Sequence, residues 1–310
     1  MFGIPPHSWL VMLAILLLLL LASGVQQWRR WRDPQRDDQE LYLRIRSWWW
    51  MIGIVFICLA LSKGSAIFLF AFISFLALKE FFSIVPTRLS DRRVVFWAYV
   101  AIPVQYYWVY SGWYGMFTVF IPVYVFLFLP MLMVLLGNTR GFIQAAGVMH
   151  WAVMLTVFCL SHIAYLIALP SQNPAAGSIG MVIFILFLTE LNDISQYLFG
   201  KWLGRHKIIP KVSPNKTWEG FLGGVGTVAL VSALLAPWLT PLTHLHGLFV
   251  GLVIGVGGFI GDVVISSVKR DLQIKDSGQL IPGHGGILDR LDSLIYTAPL
   301  FFHYLHYFAY

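Results

Sequence analysis

The sequence predicts an all-α protein, a polytopic transmembrane helical bundle of nine to ten spans. Three observations predict it. Of 310 residues, 58% are hydrophobic and only 11% charged, with a mean hydropathy of +0.75, so lipid rather than water surrounds most of the chain. Apolar runs of roughly the 17–25 residues needed to cross a bilayer recur from the first line of the sequence to the last. With ten spans and an outward N-terminus, 20 of the 21 Lys and Arg residues fall on one side, Lys63 excepted, and that side is expected to be the cytosol.

Taken in order, the expected spans cover about 9–25, 47–62, 64–80, 94–110, 115–136, 144–169, 178–199, 219–236, 246–266 and 287–308. No Lys or Arg precedes the first run and an arginine-rich segment follows it, which suits an uncleaved helix rather than a signal peptide. Cys58 and Cys159 lie inside apolar spans and read as small core residues, not as a disulfide or a metal pair. The basic segments Arg29 to Arg46 and Lys79 to Arg93 read as topology and lipid-anchoring signals. Trp48-Trp49-Trp50 and Tyr106-Tyr107-Trp108 sit near span ends, where amphipathic rings prefer the interface. Gly247, Gly251 and Gly255, four apart, read as a helix-packing stripe.

Acidic residues divide the chain. None lies between Val94 and Thr189, whereas eight of the fourteen follow, from Glu190 to Asp292. Residues 1–178 are therefore read as an N-terminal transmembrane scaffold region and 179–310 as a C-terminal transmembrane catalytic region. The net charge of +7 at one surface would attract both anionic headgroups and nucleotide phosphates. Nothing in the pattern points to nucleic acid.

Three constellations in the C-terminal region bear chemistry. Glu190, Asp193, Gln196 and Tyr197 follow the spacing of one helical face. A carboxylate at bilayer depth costs roughly 2.5–3.5 kcal/mol, so that face should line a wet or protein-filled cavity, or else Asp193 pairs with a lysine of the next loop. Next, Lys201 to Lys207 and Lys211 to Gly220 form a basic loop in which Pro214 turns the chain and Thr217 or Asn215 is placed to cap the following helix. Lys216 beside a helix N-terminus suits phosphate, against the plainer reading of a topology signal. In the last constellation Asp262, Ser266 and Lys269 share a face, with Arg270 adjacent. Gly283-His284-Gly285-Gly286 then lets backbone approach a ligand closely. Asp289 and Asp292 follow at i, i+3 with Arg290 between them. These acids suit a hard divalent cation whose other ligands are water and phosphate. A salt-bridge cluster among Asp262, Lys269, Arg270, Asp289, Arg290 and Asp292 is the competing reading.

The last stretch resembles the signature of the phosphatidate cytidylyltransferase family, the CDP-diacylglycerol synthases. That pattern, S-x-aliphatic-K-R, K-D and H-G-G-aliphatic-x-D-R-aliphatic-D, is met by Ser266, Val268, Lys269, Arg270, Lys275, Asp276, His284 to Ile287 and Asp289 to Asp292. Ser213 to Gly220 is similar to the family's S-P-x-K-T-W-E-G segment, and Asn192 to Gly200 to its N-D-x-x-x-Y-x-x-G pattern. Ile194-Ser195-Gln196 departs from the small residues often found before that tyrosine, which bears on lipid specificity. The resemblance implies CTP and a phosphatidic-acid-type lipid as substrates, CDP-diacylglycerol and pyrophosphate as products, and Mg²⁺ as cofactor with a second cation allowed. It also implies a homodimer in a bacterial inner membrane with its site facing the cytosol. By that resemblance Asp262, Asp289 and Asp292 bind metal and, with Lys269, serve catalysis. Ser213, Lys216, Arg270, Lys275, Arg290, Asp193 and His284 then hold or orient substrate. A CTP-dependent lipid kinase and a membrane transporter are the alternatives from other classes.

Overall fold

The structure, a computed structural model, describes residues 4–33, 39–283 and 285–310. Among the described residues, ten long helices cross the molecule in alternating directions: α1 (Pro6–Arg32), α2 (Gln39–Leu61), α3 (Lys63–Ile84), α4 (Arg92–Ser111), α5 (Tyr114–Leu135), α6 (Phe142–Ala168), α7 (Gly177–Leu203), α8 (Trp218–Leu239), α9 (His244–Asp271) and α10 (Leu288–Ala309). Eight are long and apolar enough to span a bilayer. The other two, α4 and α10, have 20 and 22 residues. They are less apolar because they carry the buried Gln105 in one and Asp289, Arg290 and Asp292 in the other. The protein is a polytopic transmembrane helical bundle.

Short turns enforce the alternation. Between α2 and α3 only Ser62 intervenes; its side chain accepts from the Ser65 amide at 3.0 Å while Ser65 Oγ accepts from the Ser62 amide at 3.0 Å. That reciprocal pair satisfies donors that a helix start leaves open. At the opposite end of the bundle from the basic loops, α1 begins against α7 and α8, with His7 Nδ1 3.0 Å from the Trp238 carbonyl and Ser8 Oγ bonded to Ala176 O. At the charged end, Ser47 of α2 donates to the Pro282 carbonyl at 2.7 Å.

α5 and α6 each contain one wide turn, at Phe120–Val125 and Met154–Cys159. Pro122 has no N–H to give and its ring disturbs the helical ladder. Gln105 of α4 reaches across to donate to the Phe117 carbonyl at 3.1 Å, so an irregular turn at membrane depth is served by protein rather than exposed to lipid. The core of α3 to α6 is filled by large side chains such as Phe81, Phe117, Leu129 and Met149. By contrast α8 and α9 meet backbone to backbone: a Cβ on Gly251 would lie 2.5 Å from Ala229 Cα, and one on Gly255 3.0 Å from Val225 Cα. The packing role read for that stripe holds, and Ser232 Oγ, donating to the Gly247 carbonyl at 2.6 Å, fixes the register.

Candidate active site at the charged end of the bundle

The loop before α8 is shaped by Glu219 in the first turn of that helix. Its carboxylate accepts from the Arg205 amide at 3.0 Å, the His206 amide at 3.2 Å and His206 Nδ1 at 2.6 Å. Thr217 caps α8 by accepting from the Gly220 amide at 3.2 Å, one of the two caps the sequence offered. Lys216 is thereby held at the helix entrance with its stem largely buried. Its ammonium lies 2.5 Å from Asp262 Oδ2 and 3.3 Å from Gln196 Oε1. Asp262 also accepts from Ser266 Oγ at 3.2 Å, the i, i+4 contact that the face of α9 anticipated.

About two turns further along α9 from Asp262, Lys269 makes the second ion pair, 2.7 Å from Asp289 Oδ1, with both side chains almost out of solvent. Asp289 Oδ2 accepts from the amides of Ser277 at 2.9 Å and Gly286 at 3.0 Å. Asp193 of α7 meets α10 through Ser293, whose Oγ stands 3.1 Å from Asp193 Oδ1 and 3.1 Å from the Gly258 carbonyl. Asp292 Oδ1 accepts from the Ser293 amide at 2.8 Å. Asp193, Asp262 and Asp292 are close enough to repel one another electrostatically, with Lys216 and Lys269 in attraction. The lysine of the loop after α7, Lys216, pairs with Asp262 and not with Asp193.

When ionised, the four aspartates against the two lysines leave a surplus of two negative charges, the charge of one divalent cation. Among the described residues, no group of three His, Cys, Asp or Glu side chains closes into a cage for an ion. A hard cation bound together with phosphate and water needs only one or two carboxylates. Asp262, bonded to Lys216 and Ser266, would have to give up Lys216 to meet that requirement, and Asp292 stands near it. Asp289 already uses Oδ1 on Lys269 and Oδ2 on two backbone amides.

The remaining sequence candidates are spread around this cluster. Arg270 Nε donates to the Val212 carbonyl at 3.1 Å, which fastens α9 to the basic loop. The Ser213 carbonyl accepts from the Lys216 amide at 3.3 Å and closes the turn. Lys275 is exposed, and Arg290 is half-buried beside Glu190, its Nε without a hydrogen-bond partner among the described residues. His284 lies outside the described residues. Tyr197 leaves the stripe: it is 64% exposed, with Lys201 Nζ 5.9 Å from its ring centroid. Asn192 takes a place in the interior instead, fully buried and donating to the Gly255 carbonyl at 3.3 Å.

Glu80 of α3 was not among the sequence candidates, yet it enters this loop. Its Oε1 accepts from Ser277 Oγ at 2.6 Å and the Leu288 amide at 2.9 Å, and its Oε2 from the Ile287 amide at 2.9 Å. The loop glycines, expected to admit a ligand, are approached by the protein's own carboxylates. A Cβ on Gly286 would collide with Glu80 Oε1, and one on Gly285, whose φ is +81°, would lie 2.8 Å from Asp289 Oδ2.

A model of the cytidylyltransferase family matches residues 42–308. The chain is 45% identical over 293 residues to the uncharacterized protein YnbB of Escherichia coli (strain K12), covering 94% of this chain and 96% of that one. It is 30% identical over 263 residues to the phosphatidate cytidylyltransferase of Staphylococcus haemolyticus (strain JCSC1435), covering 80% of this chain and 92% of that one. Over a shorter stretch of 114 residues, 36% of this chain and 39% of the relative, it is 51% identical to the phosphatidate cytidylyltransferase of Synechocystis sp.. With 267 consecutive residues inside the family model and carboxylates and lysines from four elements joined at one end of the bundle, the chain belongs to the cytidylyltransferase family.

Proposed function

We propose that the protein is a phosphatidate cytidylyltransferase, converting CTP and phosphatidate to CDP-diacylglycerol and pyrophosphate. The observation that supports this most is the meeting of the Lys216–Asp262 and Lys269–Asp289 pairs beside Asp193 and Asp292. In the reaction a phosphate oxygen of phosphatidate attacks the α-phosphorus of CTP. The bond from that phosphorus to the oxygen bridging to the β-phosphate breaks, and pyrophosphate leaves with that oxygen. The attacking phosphate is already anionic near neutral pH, so positioning and charge neutralisation suffice without a general base.

In this reading Lys216 and Lys269 exchange a carboxylate for phosphate oxygens, and Arg270, Lys275, Arg290 and Ser213 complete the anionic-substrate surface. Asp262 and Asp292, with Asp193 beside them, would hold Mg²⁺, which neutralises charge on the attacked phosphate and the departing pyrophosphate. Asp289 orients Lys269. Residues 179–310 carry the chemistry on the 1–178 scaffold. The site faces the cytosol of a bacterial inner membrane, and the protein works as a homodimer. The excess of Lys and Arg at that end supports the orientation.

The test is purified protein with cytosine-labelled CTP, phosphatidate and Mg²⁺. Label retained in the lipid product is the expected result; a phosphorylated lipid with release of CDP would overturn it. Reporters after Arg205 and Lys275 should map to the cytosol and one near His244 to the outside; the reverse would remove the nucleotide-facing site.

A further inference from the structure

We infer that Glu80 is a positioning residue for the transfer reaction: a strap from the N-terminal half that fixes the loop between α9 and α10 and, through it, the carboxylate of Asp289. This rests on the function proposed above. Glu80 is nine-tenths buried, and it lies 197 to 208 positions from the donors it serves. Its charge is met by one hydroxyl and two backbone amides at the start of α10, where unpaired N–H groups and the helix dipole favour an anion. Helix α10 is thus capped from another helix; Ile287 at its start provides no side-chain cap of its own.

The four amides at the two ends of the loop are divided between two carboxylates. Glu80 takes Ile287 and Leu288, Asp289 takes Ser277 and Gly286, and the Ser277 hydroxyl joins the two systems. A Cβ at Gly278 or Gly286 would run into the Glu80 carboxylate, so a larger residue at either would have to displace it. With Asp289 Oδ2 pinned by the loop, Oδ1 is left aimed at Lys269. Releasing Glu80 frees the loop, and Asp289 then no longer holds Lys269 in one place. A positioned group displaced by about 1 Å loses on the order of a hundredfold in rate.

Glu80→Gln keeps the size of the side chain, loses the charge and sets an NH₂ group against donors. Ser277→Ala removes only the link between the two carboxylate systems. Hydrogen–deuterium exchange of the full-length protein in detergent is expected to show residues 276–288 exchanging about tenfold faster in Glu80→Gln and less so in Ser277→Ala, with α7 and α8 unchanged. The turnover number is expected to fall about tenfold or more in Glu80→Gln and to recover partly in Glu80→Asp. Glu40→Gln, which removes an exposed acid of α2, is the control. Loop exchange that is unaltered, or that rises equally in every helix, overturns the strap. A loosened loop with wild-type turnover overturns the positioning role. Should the wild-type protein make no CDP-lipid, the proposed reaction fails while the exchange result still decides whether Glu80 straps the loop.

Discussion

Glycines in the two halves of the chain serve opposite ends. A Cβ on Gly247 of α9 would lie 2.6 Å from Ala236 Cβ, whereas Gly53 of α2 and Gly147 of α6 have nothing within 4 Å. The C-terminal helices are set against one another by backbone contact, and the N-terminal ones by interdigitated Phe, Leu and Met. Backbone contact leaves little freedom for sliding or rotation. It occurs where ion pairs from the loop before α8, from α9 and from α10 have to meet within hydrogen-bond distance, and side-chain filling occurs where a scaffold suffices.

The largest expected effect tests whether chemistry belongs to one half alone. Asp289→Asn should lower the turnover number by about 10²–10³-fold, the range for losing one preorganised electrostatic group, while the protein stays monodisperse in detergent. Gln105→Leu, which removes the contact that serves the wide turn of α5, should instead lower stability and leave the turnover per folded molecule unchanged. Near-normal activity in Asp289→Asn would favour a purely structural ion-pair cluster. Next in size, Lys216→Gln should reduce kcat/KM for CTP by roughly ten- to a hundredfold, the worth of one charge-assisted contact. Arg93→Gln on α4, a charge removed from the same end, is the control; an equal loss there would reduce Lys216 to general surface charge.

Smaller effects sharpen the packing contrast. Gly251→Ala should cost about 1–3 kcal/mol of stability through overpacking against Ala229. Gly53→Ala should be neutral or stabilise by up to about 1 kcal/mol, because a helical glycine in open space gives only chain entropy away. Thermal midpoints in one detergent check both, and equal shifts would erase the distinction between the halves.

The ten helices were legible because lipid demands long apolar runs and because Lys and Arg mark one end of each. The local geometry of α9 was legible too, since Asp262, Ser266 and Lys269 need only helical periodicity to share a face. Pairings between elements were not. Spacing could not say that Lys216 would choose Asp262 over Asp193, nor that Asp289 would turn back to its own loop while Asp292 stands near Asp262 and Asp193. Glu80 escaped because a single acid near the end of an apolar run reads as an interfacial residue. Its one local signal was its spacing of three from Ala77, which places it on the buried side of α3. Tyr197 met the opposite fate, since periodicity put it on a stripe that the neighbouring helices do not cover that far.

The 2.5 Å contact between Lys216 and Asp262 makes substrate entry in the proposed reaction a change of partners. A phosphate that took Lys216 would set Asp262 free for a cation, and a cation on Asp262 would set Lys216 free for phosphate. Each ligand would then raise the affinity of the other by the same factor, as linkage requires. Neither half of the nucleotide–metal complex needs to find a bare charge waiting at the membrane surface.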